Sequence, residues 1–179
     1  MSADTFKQAI RTVPNFPKPG INFRDISPLV REPATFRRAV EAFAEIASDG
    51  LYRALAGVDA RGFIFAGAVA NELSLPLVMI RKKGKLPPDT ISVDYELEYG
   101  HASVEAARDS ELEGVRCLIV DDLLATGGTA LAAAQLLREL GAKSVGFAAL
   151  INLSDLPGET RLREAGVDVH SLCSFTEDE

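Results

Sequence analysis

The stretch that most constrains this chain is 116–129, R-C-L-I-V-D-D-L-L-A-T-G-G-T. An apolar run with a β-branched centre, Leu118, Ile119 and Val120, ends in two adjacent carboxylates, Asp121 and Asp122, and then in a loop of small and hydroxyl residues. A buried strand followed at once by a loop and an amphipathic helix over 129–140 is half of a βαβ unit, which commits the chain to an α/β architecture. In open α/β sheets ligands lie beyond the carboxyl ends of the strands, where Asp121 and Asp122 would stand. Thr126, Gly127, Gly128 and Thr129 leave backbone N–H groups uncovered at the helix start, and such groups bind phosphate. Acids and an anion cradle on one loop suit a ligand that carries a phosphate together with hydroxyls or a metal. A sugar phosphate meets that description; an ordinary glycine turn after an acidic strand end is the bland alternative.

The remaining pattern repeats the same logic. Phe6, Ile10 and Val13 predict an N-terminal helix over 4–13 that ends before Pro14. Residues 16–28, F-P-K-P-G-I-N-F-R-D-I-S-P, are too rich in proline and glycine for a regular element, yet Phe16, Ile21, Phe23 and Ile26 make them apolar. A stiff apolar linker of that kind should pack over something. Pro33 can open a helix whose stripe is Phe36, Val40, Phe43 and Ala47. Strands at 54–58 and 77–80 flank a helix at 63–73, so the order βαβ predicts a parallel sheet. Residues 81–109 read as an excursion from that sheet, a hairpin with a basic limb. Further strands are expected at 116–122, 144–150 and 167–172, with a short helix through 164.

Bulk properties narrow the classes. The 179 residues suffice for one domain, 1–179, burying roughly 70% of its unfolded surface. A net charge of −7 argues against a general affinity for nucleic acid. No transmembrane run or signal-peptide core is present, which makes the cytoplasm the default and excludes a membrane partner. Cys117 and Cys173 form no metal-ligand spacing, and neither do His101 and His170. Two phosphate-binding motifs also fail. Phe63 stands where a P-loop needs lysine after Gly57 to Gly62, and no G-x-G-x-x-G follows a strand.

On these residues the chain resembles the type I phosphoribosyltransferases, in their adenine-specific branch. V-D-D-L-L-A-T-G-G-T at 120–129 looks like that family's phosphoribosyl pyrophosphate motif. The 16–28 segment, A-R-G-F-I-F-A-G at 60–67, I-R-K-K-G-K-L-P at 80–87 and E-Y-G at 98–100 occur in the family's order and at about its spacing. The resemblance implies a central, mostly parallel sheet flanked by helices, a base-binding hood over about 1–33 and a lid hairpin over about 82–109. It implies transfer of ribose 5-phosphate from phosphoribosyl pyrophosphate to N9 of adenine, giving AMP and pyrophosphate, with Mg2+ and a homodimeric assembly.

Residue by residue, the resemblance places Ala125, Thr126, Gly127, Gly128 and Thr129 around the 5-phosphate. Asp121 and Asp122 would hold the ribose hydroxyls, or the metal through water. Arg61 and Lys85 would meet pyrophosphate. Phe23 would stack on adenine while the main chain of Asn22 and Arg24 reads its edge and Leu123 closes the other side. Asn22 departs from the family, which often has an aliphatic residue there; a backbone contact tolerates the change. Glu98 would handle the proton at adenine N7, and Tyr99 would shield the reacting centre. The alternatives are the same chemistry on another purine base, or a non-catalytic regulator that senses phosphoribosyl pyrophosphate. Regulators of that kind add a DNA-binding domain, whereas only about 15 residues precede the hood segment here and the charge is acidic.

Overall fold

The computed structural model describes residues 4–97, 100–110, 112–176 and 179, the side chain of Leu97 excepted. In chain order the elements are α1 (Asp4–Ala9), β1 (Arg11–Pro14), β2 (Asn22–Asp25), α2 (Ser27–Arg31), α3 (Pro33–Asp49), β3 (Ala54–Val58), α4 (Gly62–Leu73) and β4 (Leu77–Lys82). They continue with β5 (Thr90–Leu97), β6 (Gly100–Ala107), β7 (Arg116–Leu124), α5 (Gly128–Glu139), β8 (Ser144–Leu153), α6 (Gly158–Glu164) and β9 (Asp168–Phe175).

A seven-stranded sheet in the order β5-β6-β4-β3-β7-β8-β9 forms the centre. Pairing is parallel from β4 through β3, β7 and β8 to β9, and antiparallel where β6 meets β4 and β5. The period-2 alternation of the strands sorts their side chains into two cores. Ala54, Ala56, Cys117, Ile119, Val145 and Phe147 face α5 and α6, packing with Ala133, Leu136, Leu137 and Leu162. Leu55, Leu118, Val120, Ala148 and Leu150 face α3 and α4, packing with Phe43, Phe65 and Val69. Phe43 and Phe65 are fully buried and meet edge to face at 5.6 Å, each burial contributing about 1.5–3 kcal/mol. Glycine 57 lets α4 lie close on β3, because a Cβ there would stand 2.9 Å from the Cβ of Ala66.

This topology makes the site. From β3 the chain passes through α4 to β4 on one side, and from β7 it passes through α5 to β8 on the other. Adjacent parallel strands whose connections depart in opposite directions open a crevice at their carboxyl ends. Asp59 to Arg61 follow β3 into that crevice, and Asp121 to Gly128 enter it from β7.

Three expectations need correction. The N-terminal helix stops at Ala9, and Arg11–Pro14 instead pairs antiparallel with Asn22–Asp25, Val13 opposite Phe23. The 4–13 periodicity held a strand because Thr12 and Val13 are β-branched and a partner lies across the turn, which a local pattern does not show. The segment 16–28 is therefore not wholly irregular, since it contains β2 and the start of α2. The hairpin β5–β6 does not leave the sheet; Arg81 and Lys82 pair with Glu105 and Val104, so the hairpin extends the sheet past β4. An otherwise open β4 edge supplies the unpaired backbone groups that draw β6 in.

Candidate active site

A cavity of about 260 Å³ fills the crevice, walled by Asp59 to Arg61, Arg81, Lys82, Tyr95 and the continuous run from Asp121 to Ala130. The β7–α5 loop forms its floor. Gly127 caps α5 with φ +81°, a left-handed conformation that favours glycine, and a Cβ there would stand 3.0 Å from the Cα of Gly158. Helix α5 then begins at Gly128 and leaves its first-turn N–H groups outside the helical ladder, directed at the cavity end. Helix α6 braces this loop from behind. The Gly158 N–H donates to the Ala125 carbonyl at 3.1 Å, and Arg161 Nη1 donates to the Thr126 carbonyl at 2.7 Å.

The acidic pair sits beside the cradle. Asp122 is almost fully buried and pairs with Arg61, Nε to Oδ2 at 2.7 Å. Asp121 Oδ1 accepts the Asp122 N–H at 2.8 Å, and a Cβ on Gly62 would lie 2.8 Å from the same oxygen. Gly62 thus allows the first turn of α4 to close on Asp121. Burial first, and then the neighbouring charge of Asp122, push the Asp121 carboxyl well above its ordinary value. Burial raises Asp122 too, with the Arg61 guanidinium pulling the opposite way. Among the described residues no three His, Cys, Asp or Glu side chains gather as a metal cage. Two adjacent carboxylates suit Mg2+, which keeps waters and takes one or two carboxylates plus substrate oxygens.

Opposite the acids lies a basic wall. Arg81 Nε pairs with Asp59 at 3.0 Å, and Arg81 Nη1 donates to the Lys85 carbonyl at 2.9 Å. The Lys85 turn is held in place by Glu105, whose Oε1 accepts the N–H groups of Lys85 at 2.9 Å and Leu86 at 2.8 Å. These backbone donors, Leu86 foremost, hold the buried Glu105 carboxyl below its ordinary value.

The sequence-predicted residues fall into distinct places. Arg61, Asp121, Asp122, Leu123, Ala125, Thr126, Gly127, Gly128 and Thr129 all line the cavity. Phe23 reaches the site through Arg61, whose guanidinium lies 5.5 Å from the ring centroid, and its ring meets Phe16 edge to face at 5.3 Å. The Arg24 side chain turns away: it donates to Thr12 Oγ1 at 2.6 Å and the Thr176 carbonyl at 2.9 Å, and lies over Phe175. Asn22, Phe23, Arg24 and Lys85 are not part of the cavity wall, and the Lys85 side chain is exposed. Glu98 and Tyr99 lie outside the described residues.

Asp59, Tyr95 and Glu105 were not singled out by the sequence. Asp59 follows a buried strand as Asp121 does, and that parallel was a usable signal. Tyr95 and Glu105 sit in alternating strands among other polar residues, and nothing local distinguishes them.

A phosphate-type loop, an acid pair and a basic wall at the switch point of a parallel sheet define a phosphoribosyltransferase-type enzyme, and the phosphoribosyl transferase domain family matches residues 26–174. Adenine phosphoribosyltransferase of Marinobacter nauticus is 50% identical over 176 residues, covering 98% of each chain. The crystal structure of the Rhodothermus marinus adenine phosphoribosyltransferase superposes with TM-score 0.89 at 44% identity, covering 97% of this chain and 98% of that one. The Saccharomyces cerevisiae enzyme, crystallised with adenine and an imino-altritol bisphosphate, gives TM-score 0.89 at 33% identity, covering 95% and 97%. The chain belongs to the adenine phosphoribosyltransferase family.

Proposed function

We propose that this enzyme transfers ribose 5-phosphate from phosphoribosyl pyrophosphate to N9 of adenine, forming AMP and pyrophosphate in purine salvage. The observation that carries the reading is the single cavity in which the 125–129 loop, the Asp121–Asp122 pair with Arg61, and the Arg81–Lys82 wall converge. The adenine-bound yeast relative supports the choice of base.

The reaction leaves an oxocarbenium-like centre at C1 of the sugar, so the protein's task is positioning and charge stabilisation. Ala125, Thr126, Gly127, Gly128 and Thr129 seat the 5-phosphate, and Asp121 and Asp122 hold the ribose hydroxyls. Arg61, Arg81 and Lys82 face the pyrophosphate, with Lys85 on the same basic turn. Asp121 and Asp122 would hold Mg2+ through water, and the bound ion would neutralise charge on the departing pyrophosphate. Phe23 stacks on adenine against Leu123, and the main chain of Asn22 and Arg24 reads the base edge. Glu98 serves proton traffic at N7, which requires hydrogen-bond reach, and Tyr99 screens the reacting centre from water.

The chain acts as one domain, with a hood over about 1–33 and a lid hairpin over about 82–109. It works in the cytoplasm as a homodimer. Among the described residues no helix is long and apolar enough to cross a membrane, and the part-exposed Ile64, Leu77 and Met79 offer an apolar face to a second copy. Incubation with adenine, phosphoribosyl pyrophosphate and magnesium chloride should yield AMP, and a chelator should abolish it. No AMP at saturating substrate would refute the reading.

A further inference from the structure

Among the described residues Tyr95 is the one aromatic side chain in the wall of the cavity, and it comes from the sheet's edge strand rather than from the loop that forms the floor. Thr129 Oγ1–H donates to the Tyr95 hydroxyl at 3.1 Å. The ring also lies against the cradle, since a Cβ on Gly128 would touch Tyr95 Cδ2 at 3.5 Å and the Glu96 carbonyl at 3.6 Å. β5 therefore meets the first turn of α5 through the Tyr95 ring and hydroxyl, beside the apolar packing of Ile91 and Val93 in the same core.

A phenol that accepts a hydrogen bond still has its own proton to donate. With Thr129 occupying its acceptor side, the Tyr95 O–H is left to donate to an anion in the cradle. We infer that Tyr95 is a binding residue for the donor's 5-phosphate, giving it a hydrogen bond from outside the loop and fastening β5 to the occupied cradle. The inference rests on the 5-phosphate assignment above. In its simplest form it makes the Thr129–Tyr95 pair a relay: a phosphate oxygen accepts from Tyr95, Tyr95 accepts from Thr129, and filling the cradle orders the edge strand. A hydrogen bond to a charged group is stronger than one between neutral partners, so its loss should be measurable.

Tyr95→Phe removes the hydroxyl and keeps the ring packed on Gly128. Calorimetry with ribose 5-phosphate and, separately, with pyrophosphate should show the first weakened on the order of tenfold and the second unchanged. Hydrogen exchange gives the second readout. In the wild type, saturating ribose 5-phosphate should slow exchange of the β5 amides, and in Tyr95→Phe at saturation that slowing should be lost. Equal affinity for ribose 5-phosphate in both proteins, or retained slowing in the variant, overturns the inference alone. Parallel loss of pyrophosphate binding also overturns it, because that marks a general loosening of the site. A wild type that binds neither ligand overturns the assignment of the cavity and this inference with it.

Discussion

Asp121 is held in the site at a cost to the fold. Its half-buried carboxyl lies beside Asp122 and against the start of α4, and that environment disfavours its charge. A carboxyl raised in the folded state is protonated in both states at low pH, and folding loses stability as the pH climbs from the ordinary value near ~3.9 through the raised one. Asp121→Asn keeps the oxygen that accepts the Asp122 N–H and removes the charge. The metal-free variant should therefore melt higher at pH 7 by the equivalent of about 1 kcal/mol, with the gain vanishing toward pH 4. Turnover with phosphoribosyl pyrophosphate should fall in the same variant. Thermal melts across pH, beside an activity assay, check both; a lower melting point at pH 7 would mean that the charge stabilises the fold. The acid pair was legible in the sequence because it ends an apolar strand. The roles of Arg24 and Glu105 were not, since Arg24 spends its guanidinium on Thr12 and Thr176, and Glu105 on a turn about 20 residues earlier in the chain.

At the scale of elements, the 125–129 loop leans on a helix that follows it by some thirty residues. A Cβ on Gly158 would stand 2.2 Å from the Ala125 carbonyl oxygen, so Gly158→Ala must push the loop or α6 aside. The KM for phosphoribosyl pyrophosphate should rise by roughly tenfold or more, since small displacements at a site are costly. Steady-state kinetics at saturating adenine measure it, and an unchanged KM would show that the loop does not lean on α6. The basic turn has a comparable brace. Glu105→Leu leaves the Lys85 and Leu86 N–H groups without their acceptor, a loss of about 2 kcal/mol at pH 7. Because those bonds lower the Glu105 carboxyl, its contribution is present above the ordinary glutamate value near ~4.3 and disappears as the pH falls through the folded one. Chemical denaturation of both proteins at neutral and acid pH should show the gap closing. Strands β3, β7 and β8 and helices α3 to α5 were readable from periodicity, with ends that shift by a few residues. The β1–β2 ribbon and the docking of β6 on β4 were not, because antiparallel pairing is decided by which edge is open after folding.

At the scale of the molecule, the arrangement divides labour between two regions. In the proposed reaction the crevice between β3 and β7 would handle phosphate, ribose and pyrophosphate, and its residues come from strand ends that the sequence marks clearly. The choice of base in the proposed reaction would fall to the β1–β2 ribbon, where Phe23 sits against Arg61 and Phe16. That region reads poorly as a sequence because its order comes from tertiary contacts rather than from its own periodicity. Transfer to adenine needs both regions at once, and competition among bases tests it most directly. With adenine, hypoxanthine, guanine and xanthine at equal concentration, phosphoribosyl pyrophosphate and magnesium, the enzyme should form AMP in excess of every other nucleotide by at least about a hundredfold, as expected of a site that pairs the edge of its base. IMP, GMP or XMP at a rate comparable to AMP would contradict it.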